Sequence, residues 1–350
     1  MEQDWCGGLE PELDGQLLPG KPENPELRES ASLWLFEENG DFAFNRIGVE
    51  AVGATWETHR CDANFVFRGG RVLAYSQLNP SLPVTGPDGR ASILGAQGLI
   101  FDCIEPNRKW RVRFDGEAVD GRAEDQIRGT FKAHGDASQK RTRVAFDVEL
   151  TMAAPCWTQD LRPDKLAGLS EGDLIDAGLM GYGWRLEQAC RGEGTLAIDG
   201  ETRSFKGAGN RIHRQSVRPM GAFRGHCWQA AVFPDGRAFG LNTYPPRADG
   251  TTYNDGFIYQ HGRMHRAKAR NAAFLRNIRP SGDDVAVELE SELGITRIAG
   301  VTTLSTFHMG QPDVLGMNLQ QGAAQYEWDG VKTIGMVERS IPSDQCKIIL

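Results

Sequence analysis

The sequence lacks paired cysteines, although it does contain cysteine. Its 350 residues include seven cysteines, and no two of them are spaced as Cys-x-x-Cys. A zinc ribbon and a thioredoxin-type redox motif are therefore not expected, and the odd number argues against a disulfide scaffold. We expect reduced thiols in a cytoplasmic protein, because disulfides persist mainly in oxidising compartments.

Long apolar runs and long basic blocks are also missing. No stretch approaches the roughly 20 apolar residues of a membrane-spanning helix, so we expect no membrane span. The net charge is −8 without a long basic block, which argues against nucleic acid or an anionic membrane as a partner. The first residues, Met1 to Trp5, form neither a basic nor an apolar segment, so we expect no signal peptide.

Several site motifs are absent as well. The Gly-x-Ser-x-Gly, P-loop and Gly-x-Gly-x-x-Gly patterns are missing, which argues against hydrolase, nucleotide-binding and Rossmann functions. Glu57, His59 and Asp62 lie close together, but no second group of ligands follows them. His261 and His265 straddle a predicted turn and do not share a helix face. We therefore predict no metal site.

Glycine and short strand-like runs are abundant. The chain has 42 glycines, 40% hydrophobic residues and 25% charged residues, which is typical of a globular protein with many turns. Arg141 to Met152 alternates strictly between apolar and polar residues, which indicates a strand with one packed face. Asn64 to Arg68 and Arg71 to Tyr75 flank Gly69-Gly70 and predict a hairpin. Such runs recur about every ten residues, so we predict an all-β antiparallel fold, either sandwich or barrel.

The strand-like runs fall into two halves of similar style. We predict an N-terminal arm over residues 1–30 and a first β-domain over 31–160. Residues 161–181 contain Pro163 and a leucine-rich segment that breaks the strand pattern, so we predict a linker there. The second β-domain is predicted over 182–345.

The most unusual stretch is the polar run from Gly209 to Pro219. If it is a strand, Arg211, His213 and Gln215 share one face. Histidine is a natural acid or base near neutral pH, so His213 is a candidate catalytic residue with Arg211 beside it. The alternative is that these groups only form hydrogen bonds with loops.

The next predicted strand carries His226 and Trp228 on one face. Trp228 is a candidate wall for an apolar ligand, although a role as a core tryptophan is the simpler interpretation. Asn242 and Tyr259 have polar tips that could enter the same cavity, or they could be ordinary turn or core residues.

Three segments together resemble the two-domain lipocalin-like family of AttH and carotenoid 1,2-hydratase (hydroxyneurosporene synthase). The first is Gly209 to Arg218, followed by Trp228, where the family often has Gly-x-Arg-Asp-His-Ser-Trp-Gly-x-Arg before a tryptophan-containing strand. The second is Asp255-Gly256-Phe257-Ile258 with the turn His261-Gly262. The third is Gln325 to Gly330, with Gly335 and Glu338.

The resemblance implies two lipocalin-like (calycin-type) antiparallel β-barrel domains packed together around a pocket for hydrophobic molecules. Within the motif, Arg211, His213 and Arg218 match the family, and so does Trp228 on the next strand. Ile212 stands where the family has aspartate, the residue that looks like the proton donor of the hydratases, and Gln215 stands where it has tryptophan.

Two functional hypotheses follow from the residues and the resemblance. The first is a cofactor-independent lyase or isomerase of hydratase, dehydratase or cyclase type, which acts by acid/base catalysis on a terpenoid, steroid or polyketide. His213 and Arg211 would be catalytic, and the substrate-binding residues would be Gln215, Arg218, His226, Trp228, Asn242 and Tyr259. The second is a non-catalytic carrier or sensor of a hydrophobic ligand. A third, weaker one treats the polar run as the seam between the domains. The oligomeric state is not predicted.

Overall fold

Two large antiparallel sheets make up most of the protein. The computed structural model describes residues 4–131, 138–219, 221, 223–311 and 316–350. Strands dominate these residues, which confirms the predicted all-β fold. The strands of the first sheet are β1 (Arg28–Glu37), β2 (Phe42–Val52), β3 (Thr58–Phe67), β4 (Arg71–Pro80), β5 (Ile93–Ala96), β6 (Leu99–Glu105), β7 (Lys109–Arg122), β8 (Arg141–Met152), β9 (Trp157–Asp160), β10 (Tyr182–Ile198) and β11 (Glu201–Val217).

The first sheet curls into a barrel. Its path runs β4-β3-β2-β1-β11-β10-β8-β7, and an additional β4–β7 pairing joins the two ends. Inward-facing aromatic rings fill the interior, among them Phe44, which stacks on Phe146 at 4.5 Å between ring centroids and on Phe205 at the same distance. A buried phenylalanine side chain stabilises the fold by about 1.5–3 kcal/mol, so this stack is a major part of the core.

Two sequence predictions for this sheet match the observed strands. The alternating run Arg141–Met152 is β8 over its full length, with its even-numbered residues buried. The hairpin of β3 and β4 turns at Gly69 and Gly70, whose φ angles are 87° and 85°. Positive φ at both turn residues matches the twist of the paired strands, and glycine adopts it without steric cost.

The second sheet is a closed barrel. Its strand order is β12-β13-β14-β15-β17-β18-β19-β20. These strands are β12 (His226–Val232), β13 (Ala238–Thr243), β14 (Asn254–Gln260), β15 (Arg263–Ala269), β17 (Val287–Ser291), β18 (Gly294–Gln311), β19 (Met317–Trp328) and β20 (Val331–Pro342). Two short strands, β16 (Asn277–Ile278) and β21 (Lys347–Ile348), pair in parallel outside both sheets.

The change from one sheet to the other falls later than predicted. The β10–β11 hairpin pairs with β8 and β1, so residues 182–217 belong to the first barrel and not to the second domain. The chain crosses between β11 and β12. The segment predicted as a linker contains α2 (Glu171–Met180), which precedes strands that return to the first sheet. Local pattern located the strands, but sheet membership depends on pairing between distant segments.

Short helices complete the described structure. The helix α1 (Ala123–Ile127) follows β7, and α2 is capped by the Ser170 side chain, which accepts a hydrogen bond from the Asp173 backbone amide at 3.1 Å. No helix among the described residues is both long and apolar enough to span a bilayer.

The outer faces of the two barrels pack against each other. Trp34 of β1 and Ile212 of β11 come from the first barrel, and Trp228 of β12 and Met336 of β20 come from the second. These side chains belong to one buried apolar cluster. A cavity opens beside this cluster, and the residues that line the cavity form the candidate site.

Candidate functional site

Strand β11 separates two different polar environments. Leu33 and Ala31 of β1 lie opposite Arg211 and His213, and all four are buried with the core of the first barrel. Ile212, between them in sequence, belongs to the apolar cluster between the barrels. Because side chains alternate along a strand, the odd-numbered residues here face into the barrel and the even-numbered residues face its neighbour.

Inside the barrel, Arg211 and His213 are held by Asp14. The Arg211 guanidinium donates to the two Asp14 carboxylate oxygens at 2.7 and 2.6 Å, and it also donates to Gln188 Oε1 at 2.7 Å. His213 lies 3.4 Å from Asp14 and 3.2 Å from a Glu29 oxygen. The cluster thus combines two carboxylates with a guanidinium and an imidazole, a set that is neutral when His213 is protonated.

The charges in this cluster stabilise one another. Burial disfavours ionised Asp14, but the Arg211 charge and hydrogen bonds from His213 and Arg211 hold its pKa well below the usual range. Burial likewise disfavours a charged His213, and hydrogen bonds to Asp14 and Glu29 outweigh it and raise the pKa of His213. Indole rings of Trp110 and Trp184 enclose the imidazole at 5.5 and 4.9 Å between centroids.

The sequence predicted that Arg211 and His213 share a cavity with Trp228, but the structure separates them from it. Arg211 and His213 lie on the inner side of the barrel wall, whereas Trp228 contacts the outer side. Gln215 shares the inner side and donates to Glu29 Oε1 at 2.8 Å. The sequence predicted the two faces of the strand, and the structure places the predicted catalytic residues on the face opposite to the cavity between the barrels. Both faces are rich in polar residues, so the sequence alone does not tell them apart.

A cavity of about 170 Å³ lies between the barrels. The even-numbered face of β11, the outer face of β1 and strands of the second barrel form its walls. The residues that line it are Ser30, Ser32, Trp34, Arg46, Met180, Arg185, Ile212, Arg214, Arg218, Phe223, His226, Trp228, Asn242, Tyr244, Leu319, Glu338 and Ser340.

His226, Glu338 and Ser340 form a hydrogen-bonded relay on the wall of this cavity. His226 Nδ1 lies 2.6 Å from Ser340 Oγ, and Nε2 lies 3.1 Å from Glu338 Oε1. Strand β20 presents Glu338 and Ser340 on one face, two residues apart, and His226 of β12 pairs directly with Ser340. Gln321 Nε2 donates to the second Glu338 oxygen at 2.6 Å.

The ionised form of Glu338 is strongly favoured. Burial works against it, but the hydrogen bond from His226 and the charge of the protonated His226 ring outweigh burial and lower the pKa of Glu338 to about 2. Glu338 is therefore a carboxylate at neutral pH, placed to hold a proton on His226 Nε2. The other imidazole nitrogen is then free to exchange a proton with the Ser340 hydroxyl.

Two tryptophans form the apolar wall. Trp34 and Trp228 pack edge to face, with ring centroids 4.8 Å apart. Trp228 Nε1 donates to Glu187 at 2.9 Å, and the Arg185 guanidinium lies 5.2 Å from the Trp228 ring centroid. Burial raises the pKa of Glu187, which lies behind Trp228. These contacts hold the Trp228 ring in place.

Four of the predicted substrate-binding residues line the cavity, namely Arg218, His226, Trp228 and Asn242. Tyr259 does not, because it packs with Trp157 and Phe257 in a separate apolar cluster between the barrels. Among the described residues, no three His, Cys, Asp or Glu side chains are grouped as metal ligands would be.

Three residues that line the cavity were not predicted from the sequence, namely Ser340, Trp34 and Arg46. Glu338 was predicted only as part of a family motif and not as a site residue. The available signal was the period of two in β20, which puts Glu338 and Ser340 on the same face. Pairing of β20 with β12, which brings both residues to His226, was not visible in the sequence.

Comparisons with known proteins define the relationship of this chain. A family model described as "Domain of unknown function (DUF7064)" matches residues 14–342. No curated protein sequence matches the chain. The solved structure of a protein assigned as AttH from Nitrosomonas europaea superposes with a TM-score of 0.54 at 14% identity, over 93% of this chain and 98% of that one. This similarity confirms the lipocalin-like architecture and the predicted resemblance to AttH.

Two further solved structures are more distant. CghA with Sch210972 has a TM-score of 0.48 at 12% identity and covers 98% of each chain. Kievitone hydratase from Nectria haematococca has a TM-score of 0.49 at 10% identity and covers 97% of this chain and 96% of its own.

Proposed function

The protein belongs to the family of unknown function DUF7064, and we propose that it is a cofactor-independent lyase or isomerase acting on a hydrophobic small molecule. The substrate classes that we propose are terpenoids, steroids and polyketides. One observation carries the proposal, namely the Glu338–His226–Ser340 relay on the wall of a cavity that Trp34 and Trp228 also line. A buried acid/base relay beside an apolar wall suits proton transfer to or from a largely apolar substrate.

In this mechanism, Ser340 exchanges a proton with the substrate. Its hydroxyl passes its own proton to His226 Nδ1 as it accepts one from the substrate, and the Glu338 carboxylate stabilises the resulting imidazolium. The reverse transfer delivers a proton to another atom of the substrate, which gives an isomer. If that atom is the oxygen of a leaving hydroxyl group, water departs and an alkene forms.

The role of His226 differs from the sequence prediction, which placed it among the substrate-binding residues and assigned acid/base catalysis to His213. His213 is enclosed by indole rings and the barrel wall, and it does not line the cavity. His226 lines the cavity and has a carboxylate on one ring nitrogen and a hydroxyl on the other. We therefore propose that His226, and not His213, exchanges a proton with the bound molecule.

The test uses purified protein, deuterium oxide, and separate terpenoid, steroid and polyketide collections. Turnover should yield a product that is isomeric with its substrate or differs by one water, with one deuterium at carbon wherever a proton is delivered to that atom. His226→Gln and Ser340→Ala should each lower the rate by about 10² to 10⁴, the usual contribution of a positioned acid or base.

His265→Gln is the matched control. His265 also contacts a glutamate, with Nδ1 2.5 Å from Glu292 Oε1, but it does not line the cavity. This variant should keep the wild-type rate. Ligands that bind tightly and are recovered unchanged, without deuterium, would instead establish the carrier function, and full activity in His226→Gln would refute the relay.

A further inference from the structure

The cavity between the barrels has an excess of positive charge. Four arginines line it, namely Arg46, Arg185, Arg214 and Arg218, and Glu338 is the carboxylate among the lining residues. Glu338 is already engaged by His226 and Gln321. Arg185 is buried and the other three are half-buried. Cations withdrawn from water require a counter-charge or hydrogen-bond acceptors, so the other contacts of the arginines decide whether a ligand must supply one.

Neighbouring carboxylates satisfy only part of this requirement. Glu187 pairs with Arg185, and it also accepts hydrogen bonds from Asn210 and Trp228. Glu50 lies 3.8 Å from Arg214 Nη2 and 3.6 Å from Arg28 Nη1, so one half-buried carboxylate is shared between two arginines at long distances.

Arg218 and Arg46 have still less compensation. Arg218 donates through Nε and Nη2 to the Leu179 carbonyl at 3.0 and 2.7 Å, which leaves its charge without a carboxylate partner among the described residues. Arg46 lies over the Trp34 ring at 5.7 Å, and its Nε has no hydrogen-bond partner in the part of the chain that the structure describes.

Two further buried polar atoms at the cavity have no partner among the described residues. These are the indole Nε1 of Trp34, a residue that is 1% exposed, and the Oδ1 of Asn242, a residue that is 6% exposed. A buried polar group without a partner costs about 1–3 kcal/mol, so such groups at a cavity wall indicate a missing polar ligand. Of the cavity groups without partners, Arg46 Nε and Trp34 Nε1 are donors and Asn242 Oδ1 is an acceptor. A ligand with an anionic oxygen and a hydroxyl or amide hydrogen would match both kinds of group.

We infer that the cavity binds its substrate through an oxygen anion, a carboxylate or an enolate, attached to an apolar ring system. Arg46 and Arg214 hold the anionic oxygen, and Trp34 Nε1 donates a further hydrogen bond to it. The apolar ring system of the ligand packs against Trp34 and Trp228. This inference rests on the proposed function, which places the substrate in this cavity. It narrows the proposed substrate classes to molecules that carry a carboxylate or an enolate.

The charge state of the arginines supports the same conclusion. Burial, followed by the charge of Arg218, lowers the pKa of Arg214, and burial lowers the pKa of Arg218. An anion bound at Arg214 would oppose both effects, because its charge would favour the charged form of each arginine. The cavity, about 170 Å³, is larger than the roughly 150 Å³ that encloses one benzene ring in a protein core, so it has room for a small ring system carrying an anionic group.

The experiment compares two probes of the same shape, 2-naphthoate and 2-naphthamide, by calorimetry and by quenching of tryptophan fluorescence. The naphthoate should bind wild-type protein at least about tenfold more tightly, because charge-assisted hydrogen bonds are roughly twice as strong as neutral ones. Arg46→Met and Arg214→Met should each weaken naphthoate binding by about tenfold while changing naphthamide binding less than twofold.

Arg143→Met is the matched control, since it removes the same charge from an arginine on the outer surface of β8 that pairs with Asp115. It should bind both probes as the wild type does. Equal binding of the two probes to wild-type protein would overturn the inference, and so would inorganic phosphate competing as well as naphthoate, which would show a bare anion site. Both comparisons measure binding alone. They can therefore fail while His226→Gln still slows turnover as proposed, and the proposed function can fail while the probes bind as expected.

Discussion

Arg211 and Asp14 form a bidentate ion pair inside the first barrel although they lie 197 positions apart in the chain. Asp14 lies in a short 3₁₀ turn, Leu13–Gly15, within the segment predicted to be an N-terminal arm. Besides Arg211, the Asp14 carboxylate accepts hydrogen bonds from the Trp110 indole at 3.0 Å and from the Asn107 backbone N–H at 2.7 Å. This one side chain therefore links the arm to the barrel interior.

The Asp14→Ala variant should lower the free energy of unfolding by about 3 to 5 kcal/mol, because it leaves Arg211 buried without its counter-charge. Urea denaturation monitored by tryptophan fluorescence measures the change. Asp88→Ala removes an exposed carboxylate that pairs with Arg90, and it should change stability by no more than about 0.5 kcal/mol. Equal stabilities of the two variants would show that the arm contributes nothing to the barrel.

Protonation of His213 should make stability depend on pH above neutrality. The folded state raises the pKa of His213 through Asp14 and Glu29, relative to about 6.5 in the unfolded chain. Its contribution is therefore complete below about pH 6.5 and is lost as the pH rises through the folded-state pKa. Urea denaturation from pH 6 to 9 should show this decline in the wild type.

The same decline should be absent from His213→Gln, which cannot take up a proton at this position. His261→Asn replaces an exposed histidine at a turn with φ of 53°, a conformation that asparagine tolerates, and it should retain the wild-type decline. A wild-type curve without any decline would mean that His213 stays neutral in the folded protein.

Glu338 should contribute to stability in the opposite pH range. Its pKa is about 2 in the folded state and about 4.3 in an unfolded chain. The contribution is present above about pH 4.3 and is lost as the pH falls towards 2, and it amounts to at most about 3 kcal/mol. Acid unfolding followed by circular dichroism measures it.

Glu338→Gln should unfold with a shallower dependence on pH in that range. Glu327→Gln changes a glutamate on the neighbouring strand whose side chain is 46% exposed and pairs with Lys332, and it should follow the wild-type curve. If both variants behave alike, the His226–Glu338 pair has no influence on acid stability.

Ile212 provides a direct test of the charge in the cavity. This buried residue lines the cavity two positions from Arg214 on the same strand face, and it stands where the resembling family has aspartate. Ile212→Asp would place a carboxylate among the arginines, so it should weaken 2-naphthoate binding at least about tenfold by occupying the anion position.

Ile212→Asn is the control of equal size and without charge. Both variants remove the same apolar contacts, so thermal melting should show that both are folded before their affinities are compared. Equal naphthoate affinities of the two variants would contradict the role of the arginines.

Local patterns predicted most of the architecture. The strict alternation in Arg141–Met152 and the Gly69-Gly70 turn identified a strand and a hairpin that the structure shows at those positions, since both depend on neighbouring residues alone. The resemblance in the Gly209–Arg218 segment indicated the lipocalin-like architecture, and Arg218 and Trp228 from that motif do line the cavity.

What the local pattern left open was decided by tertiary pairing. The sequence by itself determined that β11 has two distinct polar faces, because side chains alternate along any strand. Only the structure decided that Arg211 and His213 face the core while Ile212 and Arg214 face the second barrel, since both faces are covered and burial does not distinguish them. The same holds for His226 and Ser340, which meet only because the first and last strands of the second barrel pair to close it.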